Sequence, residues 1–162
     1  MKLYKVTEEY VAFLKGIDPS VPNNYEGKKP YVGVVLSIGH HNYLAPLTSY
    51  KPKQDKIKPS VPSVVKVHER GNPKNKLGMI QLNNMIPVLN SEIELLDFEA
   101  QNEAYKKLLT RQVEFIKVKE EEIKDKATKL YHIVVDDKNP FFCGISCDFL
   151  KLEGSYRTYK KD

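Results

Sequence analysis

An α+β fold, a strongly twisted and mainly antiparallel β-sheet with helices packed on it, is predicted by three observations. Up to about residue 90, short apolar runs alternate and are broken by Pro, Gly and Asn, the pattern of strands and turns. From Asn102 the apolar spacing lengthens to that of helices. No apolar run approaches the roughly 20 residues of a membrane span. The 162 residues suit one domain, taken as 1–162, large enough to bury a core without staples.

The elements follow in order. Lys2–Val6 alternates as a strand, and Thr7 with Glu8 and Glu9 starts a helix, a hydroxyl followed by acids that complement the helix dipole. Tyr10, Val11, Phe13 and Leu14 form its apolar face, and Gly16 is expected to stop it. Residues 18–29 hold two Pro, two Asn and a Gly and form a loop. "PYVGVVLSI" (30–38) and "NYLAPL" (42–47) make a hairpin around a turn at Gly39–Asn42. Pro52, Pro59 and Pro62 forbid a helix through the loop that follows.

"SVVKVHE" (63–69), "LGMIQL" (77–82) and "MIPVL" (85–89) read as strands, with "RGNPKNK" (70–76) a turn and Pro87 marking an edge or bulge. Tyr105, Leu108, Leu109, Val113 and Ile116 give one helical stripe; Ile123, Ala127, Leu130, Tyr131 and Val134 give a second. "KVKEEE" lets the register slip between them, and Glu120–Glu122 read as a solvated face paired with Lys124 and Lys126. "DDKNP" (136–140) breaks the run, and Cys147–Tyr159 is expected as a last helix interrupted at Gly154.

Positive charge is concentrated in one third of the chain. Residues 25–76 carry ten Lys or Arg against three acids, whereas residues 77–162 carry 13 against 15. An acidic partner such as nucleic acid is the first reading, with a partnerless solvated basic face left open by charge alone. Several other chemistries find no support. His40, His41, His68 and His132 lack metal-ligand spacing with Cys or carboxylates, so no metal is expected. His40 and His41 are expected to be exposed in the hairpin turn, and His68 ends a strand beside Glu69. Cys143 and Cys147, four apart, suit one helix face rather than a disulfide framework, and reduced thiols in a cytoplasm are the expectation. The N-terminus has no apolar stretch of signal-peptide length. There is no Walker loop and no G-x-S-x-G elbow, so no cofactor is expected.

RNA can be cut without a metal because its own 2′-OH can attack the adjacent phosphate. The protein must then move protons and neutralise charge on the phosphorane. Lysines supply the charge, hydroxyls hold the phosphate, and tyrosine offers a stacking face. Tyr25, Lys29, Thr48, Ser49 and Lys51 bring these groups on two loops flanking the hairpin. Antiparallel pairing sets positions near 30 and 47 side by side, so residue 29 and residues 48–51 are expected as neighbours.

With "KLYKVTEEYVAFLK", "YVGVVLSIGHHNYLAPLTS", "VKVHERGNPKNKLGMIQLNNMIPVL" and "CDFLKLEGSYR" the chain resembles, over nearly its whole length, the ToxN/AbiQ group of type III toxin–antitoxin endoribonucleases, which includes the CptN branch. "YLAPLTS" and "NPKNKLG" are the most specific pieces. The resemblance implies a bent antiparallel core similar to the MazF/Kid toxins. It implies metal-independent RNA cleavage leaving 2′,3′-cyclic phosphate and 5′-hydroxyl ends. It further implies inhibition by a small repetitive pseudoknot RNA that the toxin cuts from a precursor, closed protein–RNA assemblies, growth arrest and abortive phage infection.

By the same resemblance the active-site lysine falls on Lys29, its upstream aromatic on Tyr25, the hydroxyl pair on Thr48 and Ser49, and the next lysine on Lys51. RNA contacts are expected from Lys28, Lys53, Lys56, Lys58, Lys66, Arg70, Lys74 and Lys76, with Tyr50 and His68 available for stacking. A non-catalytic single-stranded RNA-binding regulator would use the same basic surface.

Overall fold

In a computed structural model of the chain, which describes residues 1–160, β1 (Lys2–Val6) leads directly into α1 (Glu8–Ile17). The hairpin is β2 (Tyr31–Ile38) and β3 (His41–Ser49); β4 (Val64–Glu69) and β5 (Asn72–Gln81) form a second ribbon. Two short strands, β6 (Ile86–Pro87) and β7 (Ile93–Leu95), precede α2 (Glu103–Val118) and α3 (Glu120–Val135). The described chain ends in α4 (Pro140–Ile145), α5 (Phe149–Ser155) and a single 3₁₀ turn at Tyr156–Thr158. The strand order is β4-β5-β3-β2-β1-β7, with β6 paired to β3 off this path, and every pairing is antiparallel. The α+β expectation holds. None of the described helices is long and apolar enough to cross a membrane.

The strand β3 changes partners along its length. From His41 to Pro46 it pairs with β2, and from Leu47 to Ser49 it pairs with β5. A single strand thus joins two parts of the sheet around one core. That core includes the fully buried Tyr10, Leu14, Leu44, Ile80, Leu109 and Phe149. Each such side chain contributes about 1.5–3 kcal/mol by leaving water. Helix α2 lies against β4, α3 against β2, and α5 against β6. The two long helices meet at Lys119, whose amide closes α2 on Phe115 and whose carbonyl opens α3 through Ile123. This is the register slip read from "KVKEEE".

The last helix is fixed by a part-buried carboxylate. Glu153 Oε2 accepts hydrogen bonds from the Tyr43 hydroxyl (2.5 Å) and the Tyr131 hydroxyl (2.8 Å). Burial first, and Glu153 second, push the Tyr43 phenol far above its ordinary range. His41, read as an exposed turn residue, is instead part-buried, with Nδ1 2.8 Å from the Tyr156 hydroxyl. Lys126 also departs from expectation. Its ammonium donates to the carbonyls of Pro59 (2.7 Å), Val61 (3.3 Å) and Val64 (3.2 Å), tying the basic loop to α3. Glu120 does pair with Lys124, as the spacing implied.

Other local readings are corrected. Gly16 lies inside α1, which continues to Ile17 and closes on Asp18. Thr7 holds the N-cap position, yet its hydroxyl donates to Glu92 Oε1 at 2.8 Å rather than to the helix. Pro52 begins a 3₁₀ helix, Pro52–Lys56, because proline suits the first helical position. The turn read at 70–76 is only the corner, since β5 starts at Asn72. The strand read at 85–89 shrinks to Ile86–Pro87, and β7 and α4 were not anticipated. Helix α5 starts two residues after Cys147, while Cys143 belongs to α4, so the cysteines share no helix. Both thiols are free, Cys143 exposed and Cys147 buried.

Gly78 lets β3 and β5 approach closely. It adopts φ +148°, and a Cβ there would stand 2.0 Å from the Thr48 carbonyl oxygen. Gly78→Ala should therefore destabilise the fold by about 1–3 kcal/mol, read as a lower urea midpoint with an unchanged slope. An unchanged midpoint would show that the contact is easily relieved.

Candidate active site

The loop before β2 is held in an uncommon conformation. Tyr25, Glu26 and Gly27 have φ of 49°, 60° and 78°. The Lys28 amide bonds back to the Tyr25 carbonyl (3.1 Å), which makes a type I′ turn. Positive φ is a genuine outlier for an aromatic residue, and such strain concentrates at functional sites. Anchors on both sides impose it. The Asn24 side chain donates to the Val6 carbonyl (2.9 Å), the Lys29 amide to the Asn24 carbonyl (3.1 Å), and the Leu47 amide to the Pro30 carbonyl (2.9 Å).

Lys29 is set between these anchors at the end of the hairpin where β3 passes from Leu47 to Thr48. Its ammonium lies 5.5 Å from the centre of the Tyr25 ring, a cation–π distance. The ring itself is 68% exposed, so a face is open to a ligand. Burial holds the Lys29 pKa below the ordinary lysine value, and the like charge of Lys51 lowers it further. Lys28, its neighbour, is exposed in the turn.

Thr48 and Ser49 end β3 as strand residues rather than loop residues. Thr48 is half-buried, its hydroxyl 3.3 Å from the Met79 carbonyl, while Ser49 is exposed. Gln54, unanticipated from sequence, is buried against them. Its amide nitrogen donates to the Ser49 carbonyl (3.0 Å) and lies 3.4 Å from the Thr48 hydroxyl. A lone Gln between lysines and prolines carries no periodicity to expose it. The 3₁₀ helix that Pro52 starts is what turns it inward. Lys51, exposed, precedes that helix.

Asp55, the one acid of the basic loop, is occupied. It accepts from the Tyr50 hydroxyl (2.6 Å) and from Lys76 (2.7 Å), and Lys76 also lies 5.4 Å from the Tyr50 ring centre. Lys76 first, then Tyr50, hold the Asp55 carboxyl below its usual range. Lys53, Lys56 and Lys58 are exposed on and just after the 3₁₀ helix. Lys66 and His68 line a cleft together with Tyr50 and Lys76. Arg70 and Lys74 lie elsewhere on the β4–β5 ribbon, Arg70 in a groove against Lys107 and Arg111 of α2. That groove includes none of Tyr25, Lys29, Thr48, Ser49 and Lys51. Among the described residues, no three His, Cys, Asp or Glu side chains gather as metal ligands would.

The family model of the ToxN toxin of type III toxin–antitoxin systems matches residues 2–157. The chain belongs to this family. Over its whole length it is 38% identical to the endoribonuclease ToxN of Pectobacterium atrosepticum, covering 95% of that protein. It superposes on the solved structure of AbiQ, a lactococcal anti-phage endoribonuclease of a type III system, with a TM-score of 0.89 at 34% identity, covering 99% of this chain and 98% of that one. A second structure, from work on selective toxin inhibition by a non-coding RNA pseudoknot in type III systems, matches with a TM-score of 0.85 at 31% identity, again over 99% and 98%. The motifs "YLAPLTS" and "NPKNKLG" therefore identified the ToxN family correctly.

The electrostatics of the Lys29–Lys51 pair in this ToxN-family chain can be measured directly. In Lys51→Ala the like charge is gone, so the Lys29 side-chain titration, followed by NMR, should move to higher pH. A Lys29 titration that stays in place would show that Lys51 exerts no influence on it.

Proposed function

We propose that this ToxN-family chain is a metal-independent endoribonuclease toxin whose active site is built from Tyr25, Lys29, Thr48, Ser49 and Lys51. The observation that carries the reading is the half-buried Lys29 amine with a lowered pKa, beside Lys51, at the hairpin end that also delivers the hydroxyl pair. A lysine shifted downward exchanges protons more readily near neutral pH than an ordinary one.

In this scheme the RNA 2′-OH loses its proton and its oxygen bonds to phosphorus. The bond from phosphorus to the 5′ oxygen then breaks, and that oxygen takes up a proton. Lys29 is the proton-moving group, and Lys51 stabilises charge on the phosphorane. Thr48 and Ser49 donate to the non-bridging oxygens, and the open Tyr25 ring stacks on a flanking base. The products are a 2′,3′-cyclic phosphate and a 5′-hydroxyl. Because the nucleophile is part of the substrate, no metal-bound water is needed.

The antitoxin is a small repetitive pseudoknot RNA that the toxin trims from its precursor and that closes with it into a protein–RNA assembly, keeping it inactive in the cytoplasm. Release of the toxin arrests growth and aborts phage infection. The exposed Lys28, Lys53, Lys56 and Lys58 serve as phosphate contacts for either RNA.

Purified protein incubated with RNA in EDTA should yield fragments ending in cyclic phosphate, and Lys29→Ala or Ser49→Ala should each abolish both the cuts and growth arrest while the fold is retained. Intact RNA bound by the wild type would instead mark a non-catalytic regulator.

Gln54 is assigned a positioning role toward the hydroxyl pair. Gln54→Leu should lower kcat by up to about 100-fold and leave KM for a short RNA nearly unchanged. Loss in KM alone would place Gln54 in binding rather than alignment.

A further inference from the structure

Lys29 has a chemical capacity beyond proton transfer. An amine attacks electrophiles only after losing its proton, and desolvation or a neighbouring cation favours that form in a lysine. Lys29 has both, burial first and Lys51 second. Among the described residues no carboxylate acts on it as a charge partner, so nothing of opposite sign holds the proton in place. The Tyr25 ring, 5.5 Å from Nζ, attracts the ammonium, but it is 68% exposed, and a cation–π pair in contact with water is weak. Because the lysine is half-buried and has the ring over one side, a reagent reaches Nζ by a restricted path.

The groups that hold a phosphate in the cleavage scheme stand around this amine. The Leu47 amide on the Pro30 carbonyl fixes the end of β3 against the loop before β2. Ser49 is exposed at that end, and Lys51 follows two residues on, near enough for its charge to act on Lys29. A phosphate seat beside a nucleophilic amine suits one class of electrophile, the acyl phosphates. Their phosphate end is anionic, their carbonyl carbon is open to attack, and phosphate is a good leaving group. A neutral ester lacks the anion, and a free carboxylate lacks the leaving group.

We propose that Lys29 is an acylation site for acyl phosphates of small carboxylic acids, and that the resulting amide silences the toxin. This acylation rests on the RNA-cleaving reading, because Thr48, Ser49 and Lys51 hold the phosphate in both. The Nζ lone pair attacks the carbonyl carbon. The bond from that carbon to the phosphate oxygen breaks, phosphate leaves with the electron pair, and the nitrogen releases a proton to water. Lys51 and Ser49 stabilise the departing phosphate. The product amide carries no charge and no basic lone pair, so it can no longer move a proton for RNA cleavage.

The test uses the full chain and acetyl phosphate, with p-nitrophenyl acetate as a neutral acyl donor and peptide mass mapping as the readout. Acetyl phosphate should modify Lys29 about tenfold or more faster than the exposed Lys53 and Lys56. Ser49→Ala should slow the Lys29 reaction with acetyl phosphate severalfold and leave its reaction with p-nitrophenyl acetate unchanged. A Lys29 no faster than Lys53 and Lys56 overturns the site. An equal preference for Lys29 with both donors also overturns it, since the amine would then be reactive without a phosphate seat. Cleavage in EDTA is scored on the same samples and should fall in step with Lys29 occupancy. Cuts that persist at full occupancy, in a chain whose Lys29→Ala variant is inactive, overturn the silencing. Unmodified protein that never cuts, while Lys29 is still acetylated selectively, sinks the catalytic reading alone.

Discussion

The change of partner in β3 is the constraint on which the rest of the molecule depends. Between Pro46 and Leu47 the strand leaves β2 for β5, and the bond from the Leu47 amide to the Pro30 carbonyl holds the crossing point. Because of that bond, the residue before Pro30 and the residues after Leu47 emerge at one place. Gly78 permits the closeness on the other side, where the Thr48 carbonyl occupies the space of an absent Cβ. The proposed site, with groups from the loop before β2 and from the end of β3 onward, thus rests on backbone hydrogen bonds in the sheet rather than on side-chain packing.

Charge is managed differently in different parts of the basic surface. Around Asp55, lysine and tyrosine share one carboxylate, which keeps Tyr50 and Lys76 in fixed positions. Around Lys29, among the described residues, burial and the like charge of Lys51 set its behaviour, with no carboxylate partner. The first arrangement orders a surface, and the second alters acid–base behaviour. Proximity to a partner of opposite sign would have held Lys29 firmly protonated and removed the property that distinguishes it from the exposed lysines around it.

Strong alternation and helical spacing made most of the fold legible in the sequence. β1, the hairpin, β4 and the two long helices follow from the placement of apolar side chains, which is a local property. The short elements were hidden, since β6, β7 and α4 are set by what they pack against rather than by their own pattern. Pro52 misled because proline excludes a helix interior but favours its start. The juxtaposition of Lys29 with residues 48–51 was legible because hairpin pairing converts sequence position into spatial position. The inward turn of Gln54 and the contact of Phe115 with His68 were not. Phe115 reads as one more core residue of an amphipathic helix, and only tertiary packing brings it beside His68.

The tether between Lys126 and three backbone carbonyls has an electrostatic consequence of its own. An anchor made with Asp or Glu would have cancelled a unit of positive charge next to the loop it restrains. Carbonyl dipoles neutralise nothing, so the fastening of residues 59–64 adds to the attraction for a polyanion instead of subtracting from it. A charge–dipole attachment with short reach is also less weakened by dissolved ions than a solvent-exposed ion pair. The fastening of this loop therefore depends less on dissolved salt than the grip of its lysines on an RNA does.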